Sequence, residues 1–263
     1  MPYKTIILEK EDGVATITLN RPASFNALDL EVGKELVDAI EKCMNDVVVK
    51  VVVITGAGKA FCSGGDLKAA REWSGDNLGD FFRQLTKFLD RVILDIRLMP
   101  KPVIASVNGP AAGAGFSLGL ACDLRIASDK AIFRQAFTSV GLVPDCGWTF
   151  HLPKLVGLGK ASELVFLDKV LTAEEAEKLG LVSQVVPEAK LKEVTLQVAE
   201  QLARGPSLAF ARAKALLNSV WTSSLESQLE NERQKIALSG ETKDFREALS
   251  AFFEKRKPKF GGK

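Results

Sequence analysis

The stretch NGPAAGAGFSLGLACDLRIAS, residues 108–128, places a row of small residues directly before an apolar segment. The run KPVIASV (101–107) precedes it, so a buried strand, a turn and a helix are predicted in that order. Small residues let the backbone of a turn approach a neighbour closely, and the first N–H groups of a helix have no partner inside it. The row at 112–115 therefore predicts main-chain N–H groups that can face an anionic oxygen.

A second segment, GKAFCSGGDLKAA (58–70), repeats this order after the β-branched run VVVITG (51–56). Here the turn is Ser63-Gly64-Gly65, and Asp66 opens the next helix. The residues alone leave open a plain strand-to-helix turn. If both turns meet in one α/β core, however, two N–H groups can bind one oxyanion.

A third segment, FTSVGLVPDCGWTFHLPKLVG (137–157), carries a lone acid among apolar residues. Asp145 follows Pro144, and Pro153 is expected to limit the helix that comes next. An acid in apolar surroundings has a raised pKa and can act as a general base near neutral pH. Asp is also a favoured N-cap, so the residues leave a catalytic and a capping role for Asp145 open.

Composition excludes several classes of function. The 263 residues carry a formal net charge of +2, which gives no general attraction for nucleic acid or membranes. Four cysteines are scattered without a CxxC pair, and the only histidine is His151, so we expect no metal site and no disulfide framework. We expect a cytoplasmic protein, since the chain shows neither a leader pattern nor a long apolar span.

The chain is predicted to have two regions. Strands and helices alternate up to about residue 190, which predicts a layered α/β core over 1–190. Residues 191–263 have helical patterns throughout. The chain ends in the basic segment EKRKPKFGGK (254–263), which is either a solvated tail or a segment that attracts a phosphate-bearing ligand.

These segments, together with TLNRPASFNAL (18–28), AEKLGLVSQVVP (176–187) and FFEKRKPKF (252–260), resemble the crotonase superfamily, the enoyl-CoA hydratase/isomerase family. The resemblance covers nearly the whole chain and is more specific for the superfamily than for a reaction. It implies a ClpP-like spiral of ββα units, with helices of 191–263 forming a trimer or a dimer of trimers. The implied ligand is an acyl-CoA thioester, and no separate cofactor is implied because coenzyme A is part of the substrate.

The resemblance also implies roles for residues. The N–H groups of Gly65 and Ala114 would bind the thioester oxygen, although Ala114 departs from the glycine that is usual there. The basic tail would lie near the phosphates of coenzyme A, in this subunit or a neighbouring one. The residues that would line the coenzyme A side are Ala23, Phe25, Gly64, Gly65, Asp66, Leu67 and Lys68.

The same resemblance separates the possible reactions. Hydratases of the family carry two glutamates, and Ser117 and Phe137 stand at those positions here. Asp145 stands where isomerases of the family have an aspartate, and GLVPDCGWTFHLPKLVG most resembles isomerases of the phenylacetate-degradation type. Trp148 and Phe137 would shape the acyl pocket. Ser117 would hydrogen-bond water, substrate or its own helix, and His151 would be structural.

The resemblance therefore predicts an isomerase that shifts a double bond in an enoyl-CoA, with Asp145 as the proton carrier. Such an enzyme would act in the degradation of fatty acids or aromatic compounds. One alternative is an enoyl-CoA hydratase, a lyase, with atypical catalytic groups. Another is a non-catalytic relative that binds acyl-CoA or RNA, although the near-neutral charge argues against RNA. We accordingly expect an acyl-CoA and copies of the chain itself as partners, with no nucleic acid and no membrane.

Overall fold

The computed structural model describes residues 2–75 and 77–263. Strands and helices alternate along the first two thirds, as the sequence predicts. The strands are β1 (Ile6–Glu11), β2 (Val14–Leu19), β3 (Val51–Gly56), β4 (Val103–Val107), β5 (Ala111–Ala112), β6 (Leu124–Ser128), β7 (Ile132–Arg134), β8 (Leu171–Thr172) and β9 (Gln184–Val186). The helices are α1 (Leu30–Asn45), α2 (Leu67–Arg71), α3 (Leu78–Leu98), α4 (Ala114–Ala121), α5 (Trp148–Leu167), α6 (Ala173–Lys178), α7 (Leu191–Ala203), α8 (Ser207–Ser219), α9 (Leu225–Gly240) and α10 (Lys243–Phe253).

The main sheet has the order β1-β2-β3-β4-β6-β9 over the described residues. Its first pair, β1 and β2, is an antiparallel hairpin, and the remaining pairs are parallel. A smaller sheet, β5-β7-β8, lies beside the turn that leads into α4. In the parallel part, the carboxyl ends of β3 and β4 lie side by side, so the segments that follow them start from one edge.

Both faces of the main sheet are covered, which explains the nearly continuous apolar run of β3. Val52 and Ile54 pack in the large core with α1 and α3, whereas Val51 and Val53 pack with residues of α7 on the other face. A strand that is buried on both faces needs apolar residues at successive positions. The predicted layered α/β architecture is confirmed.

The prediction that Pro153 limits its helix is wrong. Pro153 lies inside α5, and the interruption occurs at Gly157, whose φ of 78° and ψ of 157° are not helical. An interior proline removes one N–H donor and crowds the carbonyl four residues earlier, but the helix continues past Pro153; a glycine readily adopts the positive φ that redirects the chain.

The chain is helical after β9, but α7 packs against the sheet while the later helices expose apolar side chains. The division into 1–190 and 191–263 stays a prediction. Across residues 2–75 and 77–263, no helix is both long enough and apolar enough to span a membrane.

Candidate active site

The two small-residue turns lie in contact at the edge where β3 and β4 end. Cys62 forms a parallel bridge with Ala111, and the Ala112 N–H donates to the Cys62 carbonyl at 2.9 Å. A Cβ placed on Gly64 would lie 3.4 Å from the Ala114 nitrogen. The expectation that both turns meet in one core is therefore met by their geometry.

The close approach depends on missing side chains. Gly64 has a φ of 97°, and a Cβ there would lie 2.9 Å from the Ala112 carbonyl oxygen. A Cβ on Gly115 would lie 2.3 Å from the Cys62 carbonyl oxygen. Both distances are shorter than van der Waals contact, so only glycine allows the two turns to touch.

Two N–H groups beside this contact have no hydrogen-bond acceptor among the described residues. The Ala114 N–H is the first of α4 and has no acceptor inside the helix. Gly65 follows Gly64 in the neighbouring turn. Among the residues that the structure describes, neither the Gly65 nor the Ala114 N–H donates a hydrogen bond. Alanine is compatible with this site because Ala114 already belongs to a helix and needs no positive φ.

The segment at 22–28 runs beside the first turn. The Leu28 N–H donates to the Gly64 carbonyl at 2.8 Å, and the Ser63 N–H donates to the Phe25 carbonyl at 3.0 Å. Ala23 and Phe25 are exposed, and Phe25 has a φ of 51°. The residues predicted for the coenzyme A side thus share one surface with the turn at 63–65.

Asp66 connects this surface to the next helix. Its side chain accepts from the N–H groups of Lys68 and Ala69 at 3.0 Å and from the Arg21 guanidinium at 2.9 Å. Burial alone would raise the pKa of Asp66, but the Ala69 N–H and the Arg21 cation lower it below its usual value. Leu67 and Lys68 are exposed in the first turn of α2.

Asp145 is a partly buried acid rather than a helix cap. The N-cap of α5 is Gly147, and the capping alternative for the Asp145 side chain is therefore wrong. Its Oδ1 is buried and lacks a hydrogen-bond partner within the described chain. Burial raises the pKa of Asp145; a hydrogen bond with the Cys146 thiol opposes this, and the negative charge of Asp90 adds to the increase.

The backbone after Asp145 turns sharply. Cys146 has a φ of 52° and Gly147 a φ of 73°. A non-glycine residue in this region is strained, at roughly 1–3 kcal/mol, and such strain is common at functional sites. All four cysteines are buried, and burial raises the pKa of Cys62 to about 12, so its thiol is not reactive.

Ser117 and Phe137, which the family resemblance places at the positions of the hydratase glutamates, are both buried. The Ser117 hydroxyl lies 3.0 Å from the Asp145 carbonyl oxygen and 3.4 Å from that of Gly113. The Phe137 ring borders the second turn, 3.8 Å from a Cβ placed on Gly113. Neither side chain offers a carboxylate.

Trp148 and His151 lie on the first turn of α5. The Trp148 ring is buried edge-on against Phe116 of α4, with 6.5 Å between ring centroids. His151 borders a cavity of about 510 Å³ that is also lined by Asp90 and Ile93 of α3 and by Gly147. Burial lowers the pKa of His151 to about 4, so the imidazole is neutral at physiological pH.

The basic tail folds back on α10 of its own chain. The Gly261 N–H donates to Asp244 at 2.7 Å, and Arg256 pairs with Glu247 at 2.6 Å. Contact of this tail with coenzyme A stays a prediction.

Sequence reasoning missed two residues of the site. Asp90 has no sequence signal, because other acids also occur on α3 and only packing places this one near Asp145. Arg21 stands in the quoted motif NRP, but its bond to Asp66 joins residues 45 positions apart.

Comparison with known proteins identifies the family. The family model for enoyl-CoA hydratase/isomerase matches residues 9–263. The chain is 38% identical over 258 residues to 1,2-epoxyphenylacetyl-CoA isomerase of Escherichia coli strain K12, with 98% of each chain covered. It is 37% identical over 262 residues to crotonyl-CoA hydratase of Syntrophomonas wolfei, with 99% of each covered. A crystal structure of enoyl-CoA hydratase from Bacillus anthracis matches with a TM-score of 0.93 at 35% identity, over 99% of this chain and 100% of that one.

The chain therefore belongs to the enoyl-CoA hydratase/isomerase family and has the crotonase fold. It is an acyl-CoA enzyme of that family, and the suspected resemblance is confirmed. Its relatives are named both isomerases and hydratases, so membership covers both reactions.

Proposed function

We propose that the protein is an enoyl-CoA isomerase that shifts a double bond along the acyl chain, with Asp145 as its single proton carrier. The observation that supports this most is the buried, unpartnered Oδ1 of Asp145, in a part of the chain where Ser117 and Phe137 supply no second carboxylate. One carboxylate is enough to move a proton between two carbons. Addition of water needs one group to activate the water and another to protonate carbon.

The proposed reaction on a 3-enoyl-CoA has two proton transfers. Asp145 takes a proton from C2, and the electron pair of the broken C–H bond forms a C1–C2 double bond as the thioester oxygen becomes an enolate oxygen. The carboxylic acid then returns the proton to C4. The carbonyl re-forms and the double bond lies between C2 and C3, so atoms and charge balance.

The enolate oxygen would be held by the N–H groups of Gly65 and Ala114. Both belong to turns in van der Waals contact, which fixes the donors before the substrate arrives. Loss of one such donor typically raises the barrier by ~3–4 kcal/mol. The raised pKa of Asp145 supports the same proposal, because a more basic carboxylate removes a carbon-bound proton more readily.

Coenzyme A would lie over the surface formed by Ala23, Phe25 and the turn at 64–68. Phe25 and Leu67 expose apolar rings and methyl groups there, and Lys68 supplies an exposed cation. Phe137 and Trp148 would border the acyl group, which follows from their position beside Gly113 and after Asp145. We also propose a cytoplasmic trimer, or dimer of trimers, built through the helices of 191–263.

Hydration remains the second candidate because a relative of similar identity is named crotonyl-CoA hydratase. Mass spectrometry of 3-enoyl-, 2-enoyl- and aryl-CoA thioesters after incubation with the protein separates the candidates. Isomerisation changes the chromatographic retention of the thioester without changing its mass, whereas hydration adds the mass of one water molecule. A protein that binds these thioesters but converts none of them would be a binding module.

A further inference from the structure

The segment at 143–147 that carries Asp145 is attached to the rest of the described chain by few hydrogen bonds. Within the segment and the start of α5, Trp148 donates its N–H to the Asp145 carbonyl at 3.0 Å. Phe150 and His151 of α5 donate their N–H groups to the Gly147 carbonyl at 3.0 and 2.9 Å. Among the described residues, the only hydrogen bond that joins 143–147 to an element other than α5 comes from the Ser117 hydroxyl to the Asp145 carbonyl at 3.0 Å. The position of Asp145 relative to α4 therefore depends on Ser117 together with the packing of Trp148 against Phe116 of α4.

Ser117 is suited to this role by its place on α4. It is 1% exposed and lies one helical turn after Ala114, whose N–H faces the other turn. A serine inside a helix often bonds back to the carbonyl four residues earlier, which here is Gly113. That carbonyl already accepts the Ser117 N–H at 3.1 Å, and the hydroxyl contact to it is the longer one at 3.4 Å.

Apart from a contact with the thiol of the neighbouring Cys146, the Asp145 carboxyl group has little to hold it in place. Its Oδ1 is buried without a partner in the described chain, and the following Cys146 is in a strained left-handed conformation. A side chain whose recorded contact is with the next residue along the chain takes its position from that backbone. A displacement of about 1 Å at a reacting group can lower a rate by about a hundredfold.

We infer that Ser117 is a positioning residue that ties the backbone of Asp145 to the helix carrying the Ala114 oxyanion donor. The bond sets the distance between the proton carrier and the enolate oxygen, and it keeps the acid out of water. This inference rests on the proposed isomerase reaction. In this role Ser117, which stands where the resemblance places a hydratase glutamate, needs neither a charge nor contact with the substrate.

The test compares Ser117→Ala with Ser106→Ala in steady-state isomerisation of a 3-enoyl-CoA. Ser106 is the matched control, since it is also buried and its hydroxyl makes a 3.0 Å bond, but to Thr195 on the far face of the sheet. We expect Ser117→Ala to lower kcat about ten- to a hundredfold with KM within about twofold. We also expect its acidic limb in the pH profile to move to lower pH, because water would reach the carboxyl group.

Ser117→Thr keeps the hydroxyl and should recover most of kcat, and it carries the test if the alanine variant does not fold. Equal kcat and equal pH profiles for Ser117→Ala and Ser106→Ala would overturn the inference. So would a loss of thermal stability in Ser117→Ala with kcat unchanged. An inactive wild type would instead refute the proposed function, so the two failures are distinguishable.

Discussion

At the scale of single residues, glycines decide whether the two turns of the site can touch. Gly64 has a positive φ, and any Cβ added to it would collide with the Ala112 carbonyl. A substitution at Gly64 would therefore have two separate effects: strain in the backbone of that residue, and a steric collision between the two turns.

We predict that Gly64→Ala lowers kcat by about a hundredfold or more, because its Cβ would push the Gly65 and Ala114 donors apart. Gly180→Ala is the control: Gly180 also has a positive φ, of 74°, but nothing lies within 4 Å of its added Cβ. The measurement is kcat on a 3-enoyl-CoA with circular dichroism as a check of folding. Equal losses in the two variants would show that strain, rather than contact between the turns, matters.

A second prediction concerns Asp90. Its charge contributes to the raised pKa of Asp145, so Asp90→Asn should lower that pKa and move the acidic limb of the kcat/KM profile to lower pH. The sign follows because the base must be deprotonated, and a lower pKa keeps it so in more acidic solution. Asp80→Asn, at the exposed start of α3, is the control and should leave the limb in place. If Asp90→Asn leaves the acidic limb of the kcat/KM profile at the wild-type pH, this account is contradicted.

Residues of the site differ in how far sequence predicts them. The glycine turns and Asp145 are predictable because their signals are local: small residues after a strand, and one acid in an apolar segment. Asp90 and the Ser117–Asp145 bond are not, because each depends on how helices separated in sequence pack together. The capping role that sequence allowed for Asp145 depends on a local backbone conformation that Gly147 supplies instead.

At the scale of elements, α5 carries a buried histidine without partners. Neither ring nitrogen of His151 has a hydrogen-bond partner in the described chain, and burial with the nearby Arg97 charge lowers its pKa to about 4. The sequence prediction was wrong about the residue that interrupts α5, which is Gly157 and not Pro153. Hydrophobic periodicity located the helix, but whether Pro153 or Gly157 interrupts it depends on dihedral angles that composition does not encode.

We predict that acid destabilises the wild type more than His151→Leu. The unfolded chain binds a proton at His151 below its usual pKa of 6.5, whereas the folded chain does so only below about 4. Stability is therefore lost as pH falls between these values, by about 2 kcal/mol from pH 7 to pH 5. Urea unfolding at both pH values, at equal protein concentration, measures the difference. The same loss in both proteins would contradict it, since His151 is the only histidine.

At the scale of the whole molecule, the sheet order and the face covered by α7 follow from pairings between distant segments. Apolar runs predict which strands are buried, and the family resemblance implies a spiral of ββα units, but neither gave the order of the strands in the sheet. Beyond the sheet, α9 and α10 leave large apolar side chains exposed, including Leu225, Ile236, Phe252 and Phe253. Such a surface is unusual for a chain that stays alone in water.

We predict that the mass of the wild type measured by sedimentation is three or six times the chain mass of 28.5 kDa. The double variant Ile236→Asp, Phe252→Asp should dissociate, because each buried apolar side chain contributes about 1.5–3 kcal/mol. Val47→Asp is the control, since Val47 is 82% exposed in the loop before β3. A monomeric wild type, or an assembly unaffected by the double variant, would contradict the proposed role of 191–263.

The most direct test replaces the proposed proton carrier and measures binding and turnover separately. Asp145→Asn keeps the size of the side chain but removes the base. The account predicts an unchanged Kd for an acyl-CoA thioester and a loss of about a thousandfold or more in isomerisation and in deuterium exchange at C2. An Asp145→Asn protein that still exchanges the C2 proton at the wild-type rate would contradict the central claim.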